Sequence, residues 1–489
     1  MKRMLTAILT GALLCGSLCG CGPQNMADGA AESLPVGGKD AGNITPGGDG
    51  SDLWLVGFGC AEIVPDDYDP ATDSFGGTYY IAGYRNDNVA TGMLDPQYAR
   101  AAYISDKRGT SIVVAAVDCV GLLKSFVDEI KAGLADIIKE YNLAAIHIAS
   151  THTHAGIDTL GLWGPVGRDG KNKAFMEKVK LSTQQAIRAA CESARDGRLY
   201  YGKADTGDLQ RDSRPPYIYD THVHRFRFEP ADGSPGLQII SYDAHPEALR
   251  SENSRVSADF PCYMSRKIKK ETGDDFIFIA GAVGGLISTQ RQRDPSGAEY
   301  PLEQDVAIVG ERLAGCVLSI GDEVKLEPKI TDKTHYFNVN LDNKVYILLS
   351  SLGVLDAKPV SGGGNYGLAL QTQASLLSLG GINIALVPGE LFPELAYGGT
   401  VGDAAANPDA KPYRTLVEIT GDKNLLIWGL CDDEVGYIVA PNDFFLDPEN
   451  PYFTQGYDKL GRRHYEETNS VGIEMYYRLA RAFEELVGN

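Results

Sequence analysis

Ala144-Ala145-Ile146-His147-Ile148-Ala149 runs directly into Ser150-Thr151-His152-Thr153-His154-Ala155-Gly156. The first six residues form a short apolar run with the length of a buried strand, and the next seven read as glycine-containing loop. Residues two apart in extended chain face the same side, so His152 and His154 can enter one pocket. Neutral imidazole is the commonest side-chain metal ligand. A His-x-His pair alone serves equally as two hydrogen-bonded surface histidines.

Working outward, further apolar runs occur at Ser111–Val117, Leu237–Ser241, Phe276–Ala280, Ile382–Val387 and Leu425–Leu430. They alternate with helical periodicity over Ser125–Glu140, Lys173–Ala194, Cys262–Glu271, Glu303–Val317 and Ser470–Val487. This alternation predicts an α/β fold, mixed β-sheets layered with helices in a single large domain. Sites in such sheets lie just past strand ends. His245 in Asp243-Ala244-His245-Pro246, Glu390 in Pro388-Gly389-Glu390 and Tyr437 after Asp432-Asp433-Glu434 all fall there. Singly each is unremarkable; a glutamate after Pro-Gly is usually a solvated turn residue.

The bulk properties narrow the function. The 489 residues carry a net charge of −20, which excludes a nucleic-acid partner because phosphate binding needs a basic face. Lys2 and Arg3 precede the apolar run Leu5–Leu14, too short to span a bilayer and typical of a secretion signal. Leu18-Cys19-Gly20-Cys21 is similar to the lipobox of bacterial lipoproteins. The expected organisation is a signal peptide over 1–20, lipidated Cys21 with a Gly/Ala/Asp/Pro/Ser tether over 21–51, and one large domain over 52–489. That places the protein on the bacterial cell envelope, exported and held to the membrane through Cys21. Cys60, Cys119, Cys191, Cys262, Cys316 and Cys431 are scattered and read mostly as small buried hydrophobes, with one or two bridges left open.

Taken in order, several segments resemble the neutral/alkaline ceramidase family. They are Gly57-Phe58-Gly59-Cys60-Ala61-Glu62-Ile63, Ala82-Gly83-Tyr84, Tyr98-Ala99-Arg100-Ala101, the Thr-His-Thr-His-x-Gly stretch, x-His-Pro, Pro-Gly-Glu, the tyrosine before Ile438-Val439, and His464-Tyr465-Glu466. The resemblance spans about residues 53 to 485. It implies Zn2+ held by His152, His245, Glu390 and Tyr437. It further implies catalytic roles for His154, which would hydrogen-bond the substrate carbonyl, for Arg211 in the substrate pocket, and for Tyr465 as an oxyanion donor. Asp259 matches a family aspartate expected to orient a ligand or loop, and it also suits a helix N-cap. The implied activity is hydrolysis of an amide in an N-acyl sphingolipid such as ceramide, a lipid-like small molecule, by metal-activated water.

Two departures keep other readings in play. The family's Gly-Asp-Val-Ser-Pro-Asn stretch is Gly284-Gly285-Leu286-Ile287-Ser288-Thr289 here, with Ile287 at the serine position and Ser288 one place late. The family's C-terminal β-sandwich domain is not expected after Ser470–Val487. The alternatives are a zinc hydrolase of another ester or amide, or a non-catalytic surface lipoprotein that binds lipid or glycan. A second pair, His222 and His224, lies in a strand-like stretch with one apolar face and is expected to have a structural or rim role.

Overall fold

The computed structural model describes residues 52–488. The signal peptide, Cys21 and the tether lie outside the described residues. The first strand, β1 (Trp54–Glu62), lies in the middle of a large sheet. On one side of it follow β2 (Tyr98–Ser105), β3 (Ser111–Val117) and β4 (Leu143–Ser150). On the other side are β5 (Arg195–Asp205), β6 (His222–Pro230), β7 (Leu237–Tyr242) and β8 (Asp275–Ala280). The order is β8-β7-β6-β5-β1-β2-β3-β4, with β9 (Val324–Leu326) also paired to β5. Only the outermost pairs, β3 with β4 and β7 with β8, are parallel. These are the strands buried along their length, and so the ones legible as apolar runs.

A second sheet runs β10 (Ile330–Asn340), β11 (Leu368–Leu379), β12 (Ile382–Leu386), β13 (Leu426–Trp428), again closing on a parallel pair. Its Leu377, Ile384, Leu426 and Trp428 share one core with Val56, Ile112, Val114, Ile239 and Ile277 of the large sheet. The outward faces are covered by helices. Helix α3 (Lys173–Glu192) packs on the half near β1 and β2, and α4 (Phe260–Thr272) with α5 (Leu302–Leu318) covers the half near β7 and β8. Helix α6 (Glu474–Gly488) covers the second sheet through Tyr476, Leu479 and Phe483. The layering is helix, sheet, sheet, helix, in agreement with the expected mixed α/β class.

Two expected helices are altered. Ser125–Glu140 is two helices, α1 (Lys124–Ala132) and α2 (Ala135–Glu140), broken at Gly133-Leu134. A side chain at Gly133 would lie 2.1 Å from Gln184 Nε2, and Gln184 and Arg188 of α3 donate to the carbonyls of Ile130 and Gly133. These donors satisfy the end of α1, so the chain stops there. The last helix begins at Glu474 rather than Ser470, because Glu466–Asn469 forms a separate 3-10 turn. All six described cysteines are free, and no described helix is long and apolar enough to cross a membrane.

The Gly-x-Gly of β1 has a packing reason. A Cβ on Gly59 would come within 2.0 Å of the Ala186 carbonyl of α3. Gly59→Ala is therefore expected to cost about 1–3 kcal/mol by overpacking, read as a lower denaturant midpoint with unchanged slope.

The ends of the parallel pairs are stitched together by backbone hydrogen bonds. Ser150 N donates to Leu430 O at 3.1 Å, Asp432 N to Ile148 O at 2.8 Å and Gly429 N to Ala280 O at 2.9 Å. Gly281 N donates to Tyr242 O at 3.1 Å and Val387 N to Trp428 O at 2.9 Å, so the loops leaving β4, β7, β12 and β13 are brought to one place.

Candidate metal centre

His152 follows β4 in a left-handed conformation (φ 67°) that a β-carbon disfavours. The conformation is held by its N–H donating to Cys119 O at 2.9 Å and by Nδ1 donating to Val120 O at 2.5 Å. His245 follows β7. Its N–H and Nδ1 both donate to Ile287 O, at 2.9 and 2.6 Å. Asp259 caps α4 and also accepts from the N–H groups of Ala248 and Leu249, so it clamps the loop that carries His245. Its two expected roles are one.

A carbonyl only accepts, so the Nδ1 atoms of His152 and His245 are the protonated ones and each neutral ring carries its lone pair on Nε2. Both Nε2 atoms face Glu390 Oε2, at 3.3 Å from His152 and 2.9 Å from His245. His154 Nε2 stands 3.3 Å from His152 Nε2, and one nitrogen from each of the three histidines falls within 4.8 Å of the others. Imidazole nitrogens and a carboxylate turned on one another need positive charge among them, supplied by a proton on an imidazole or by a metal cation. Burial opposes charge on both partners, yet the Glu390 carboxylate raises the pKa of His245, and His152 with His245 holds Glu390 well below the usual carboxylate range. The donor set of imidazole nitrogens and carboxylate oxygen fits a divalent metal ion.

Tyr437 sits directly opposite Glu390 in the two-residue parallel ladder Glu390–Leu391 with Tyr437–Ile438. Burial, then the neighbouring Glu390, pushes its phenol well above the usual value. Tyr465 packs edge-on to Tyr437 with ring centroids 6.4 Å apart, and burial and Glu390 push its phenol up to about 12. His154 is desolvated beside His152, which pushes its pKa down to about 3.

Arg211 is not brought into this cluster. It is exposed on the short strand Gln210–Arg211, whose partner Ser288 bridges to His245, and it makes no ion pair among the described residues. The buried guanidinium nearby is Arg214, paired with Glu466, Glu467 and Asp443 behind Tyr465. Ile287 contributes only its carbonyl, and Ser288 Oγ accepts from Arg250 at 2.8 Å. His222 and His224 share Asp220, and His224 also bonds Tyr201, which is the structural role expected of them.

Two residues at the site were not picked out from sequence. Glu247, two past His245, accepts from Tyr84 Oη at 2.5 Å. Burial opposes its charge, but His245 and His154 hold its pKa low. Glu434 accepts from Gly436 N while its Oε2 has no hydrogen-bond partner, and burial, then Glu390, pushes its pKa well above normal. The spacing His-x-Glu was a usable signal for the first; nothing in the acidic run Asp432-Asp433-Glu434 singled out the second.

No protein-family model matches the sequence, and no curated protein sequence matches it. Two solved structures are similar in fold. One is the neutral ceramidase from Pseudomonas aeruginosa, with TM-score 0.64 and 15% identity over 89% of this chain and 75% of that one. The other is a ceramidase complexed with C2, with TM-score 0.65, 15% identity and the same coverages. The two packed sheets that gather His152, His245, Glu390 and Tyr437 from four separate strand ends are thus those of the neutral ceramidase fold.

Proposed function

We propose that this protein is a zinc-dependent hydrolase of the amide bond in an N-acyl lipid such as ceramide, working at the bacterial envelope to which a lipid on Cys21 tethers it. The observation that carries the reading is the convergence of two imidazole lone pairs on Glu390 past the strand ends, in a fold whose solved examples include a ceramidase. His152, His245, Glu390 and Tyr437 would hold the zinc, which would supply a Lewis acid able to bring the pKa of water toward neutrality.

The remaining work belongs to side chains. The carbonyls of Val120 and Ile287 hold two rings in the tautomer that offers Nε2 inward. Tyr465 keeps its proton at neutral pH and can donate it as a hydrogen bond to an oxygen on which negative charge develops. The burial of His152, His245 and Glu390 keeps bulk water from weakening these interactions.

One observation favours a second reading, hydrolysis of a different amide or ester. The position of the family serine is a fully buried isoleucine, and charged Glu247 with Arg250 lies beside the site instead. The full chain in detergent micelles, offered N-acyl sphingosines of increasing chain length, is expected to release fatty acid with a preference for long chains. A chelator should stop the release and zinc restore it. Zinc-loaded protein that cleaves short esters or amides but no N-acyl lipid supports the second reading. Protein that binds these lipids without turnover would be the non-catalytic lipoprotein.

A further inference from the structure

Exposed apolar side chains gather close to Tyr465. Phe453, Tyr457 and Leu460 are 46%, 63% and 57% exposed. Tyr457 lies on a small antiparallel hairpin, Gly456–Tyr457 with Arg463–His464, in which it stands opposite Arg463; Phe453 lies on the turn that enters it. Asp458 fixes the hairpin tip. Its buried carboxylate accepts from Leu460 N at 2.9 Å, Arg462 N at 2.8 Å and Arg462 Nε at 2.7 Å, and Gly461 takes the left-handed conformation (φ 73°) that the turn requires. Lys459 and Leu460 are thereby held outward at the tip. Lys459 and Arg463 make no ion pair among the described residues; Arg463 donates to Gln455 Oε1 and lies over the Tyr465 ring, 5.2 Å from its centroid. With Asp458 turned inward on Arg462, the tip presents positive charge on a chain of net charge −20. The hairpin runs straight into the site: Tyr465 comes directly after His464, and Leu460 is within roughly 18 Å of it even for fully extended chain.

Single exposed apolar residues are ordinary, but aromatic and aliphatic side chains grouped with unpaired cations match the chemistry of a membrane interface. There the rings settle at headgroup level, a leucine reaches the acyl chains, and Lys or Arg extends its charge to phosphate. We propose that this hairpin docks the protein on a phospholipid bilayer: Phe453, Tyr457 and Leu460 enter the boundary between headgroups and acyl chains while Lys459 and Arg463 meet lipid phosphates. A tip already held in shape loses little conformational entropy on insertion. The contact is separate from a lipid on Cys21, which would keep the chain near a membrane without choosing the face that meets it. The hairpin chooses the face that carries Tyr465, so that an N-acyl lipid reaches the site from the bilayer. That purpose rests on the lipid-hydrolase reading above; the docking itself does not.

The test uses the full chain with Leu460→Trp, wild-type emission subtracted, on vesicles of phosphatidylglycerol and phosphatidylethanolamine with or without brominated acyl chains. The added tryptophan is expected to shift to shorter wavelength and to be quenched by bromines about 5–10 Å below the surface. Because the readout follows the tip itself, it reports the hairpin whether or not Cys21 carries lipid. Phe453→Trp is an independent probe should Leu460→Trp fold poorly. In a second arm, Leu460→Asp with Lys459→Glu should slow fatty-acid release from an N-acyl sphingosine held in vesicles by about tenfold, and leave release from a short-chain one dissolved as monomer unchanged. Tryptophan that neither shifts nor is quenched would overturn the docking, as would equal slowing on both substrates. Tryptophan shielded equally without vesicles, with light scattering that shows a dimer, would also overturn it and assign the surface to a second copy of the chain. Insertion without hydrolysis of either substrate would leave the docking standing and remove the hydrolase reading.

Discussion

Glu390→Ala is expected to lose the bound metal and, with it, hydrolysis. Glu390 is the one group that both His152 Nε2 and His245 Nε2 face, at 3.3 and 2.9 Å, so its removal leaves the cation site without its only charge-neutralising oxygen among these contacts. A metal acting as Lewis acid supplies several kcal/mol of transition-state stabilisation; about 4 kcal/mol corresponds to a loss of about a thousandfold in kcat/KM. Glu390→Gln separates charge from shape. It keeps the volume and one acceptor oxygen, so it should fold like wild type yet hold zinc far more weakly. Metal content by mass spectrometry beside fatty-acid release checks both. Full activity in metal-free Glu390→Ala would remove the basis of the metal centre.

A second large effect is expected away from the metal, at the ionic clamp that joins the two sheets. His147, on β4, is buried and bonds Asp432 by Nδ1 at 2.9 Å and Asp332 of β10 by Nε2 at 3.0 Å. Asp432 also accepts from Lys131 at 2.8 Å and from Ile148 N at 3.0 Å, and it opens the segment that ends in Tyr437. Removing one partner from such a buried set strands the others. Asp432→Ala is expected to destabilise by about 3–5 kcal/mol, seen as a fall in denaturant midpoint.

The pH dependence of this clamp is set by its shifts. Burial opposes charge on His147, but the hydrogen bonds to Asp332 and Asp432 prevail and raise its pKa from 6.5 to about 9. The folded state therefore holds a proton that the unfolded chain releases. The contribution is complete below about pH 6.5 and fades as pH rises through about 9. Asp432 works at the other end. Its pKa is held below the ordinary carboxylate range despite burial, chiefly by Lys131 and His147, so its contribution exists above that range and is lost as pH falls. Wild type should lose stability between neutral pH and pH 10, whereas His147→Asn should start lower and show a flatter profile over that interval. An identical alkaline slope in both proteins would remove the clamp as its cause.

How much of this was legible in the sequence depends on which contacts are local. The strands buried on both faces, such as Ser111–Val117 and Asp275–Ala280, announce themselves as unbroken apolar runs. Ile330–Asn340 does not, because its outward face is polar and half exposed and its period is diluted by Asp332, Lys333 and His335. Arg195–Asp205 is hidden in the same way by Arg198 and Lys203. In the site, the pair His152 and His154 stands out past an apolar strand, whereas His245 and Glu390, unremarkable singly, are picked out by the ordered family resemblance. The closeness of Glu247 to His154 is not legible, since it depends on a loop from β7 folding back against a loop from β4. Glu434 is likewise exceptional only through its burial beside Glu390.

The stitching of the strand ends also governs when the centre comes into existence. His152, His245, Glu390 and Tyr437 leave four different strands, and no two of the four share a loop. Beyond the local pair His152 and His154, no short segment of the chain gathers these groups. Such distant pairings form slowly, because the loop-closure entropy must be met before any contact is made. A metal ion that needs all of these groups would favour the folded chain, so its binding free energy would add to the docked state of the two sheets. Loading with metal would then act as a ratchet, closing behind the last step of assembly and holding the two sheets to the one arrangement in which the ion has a place.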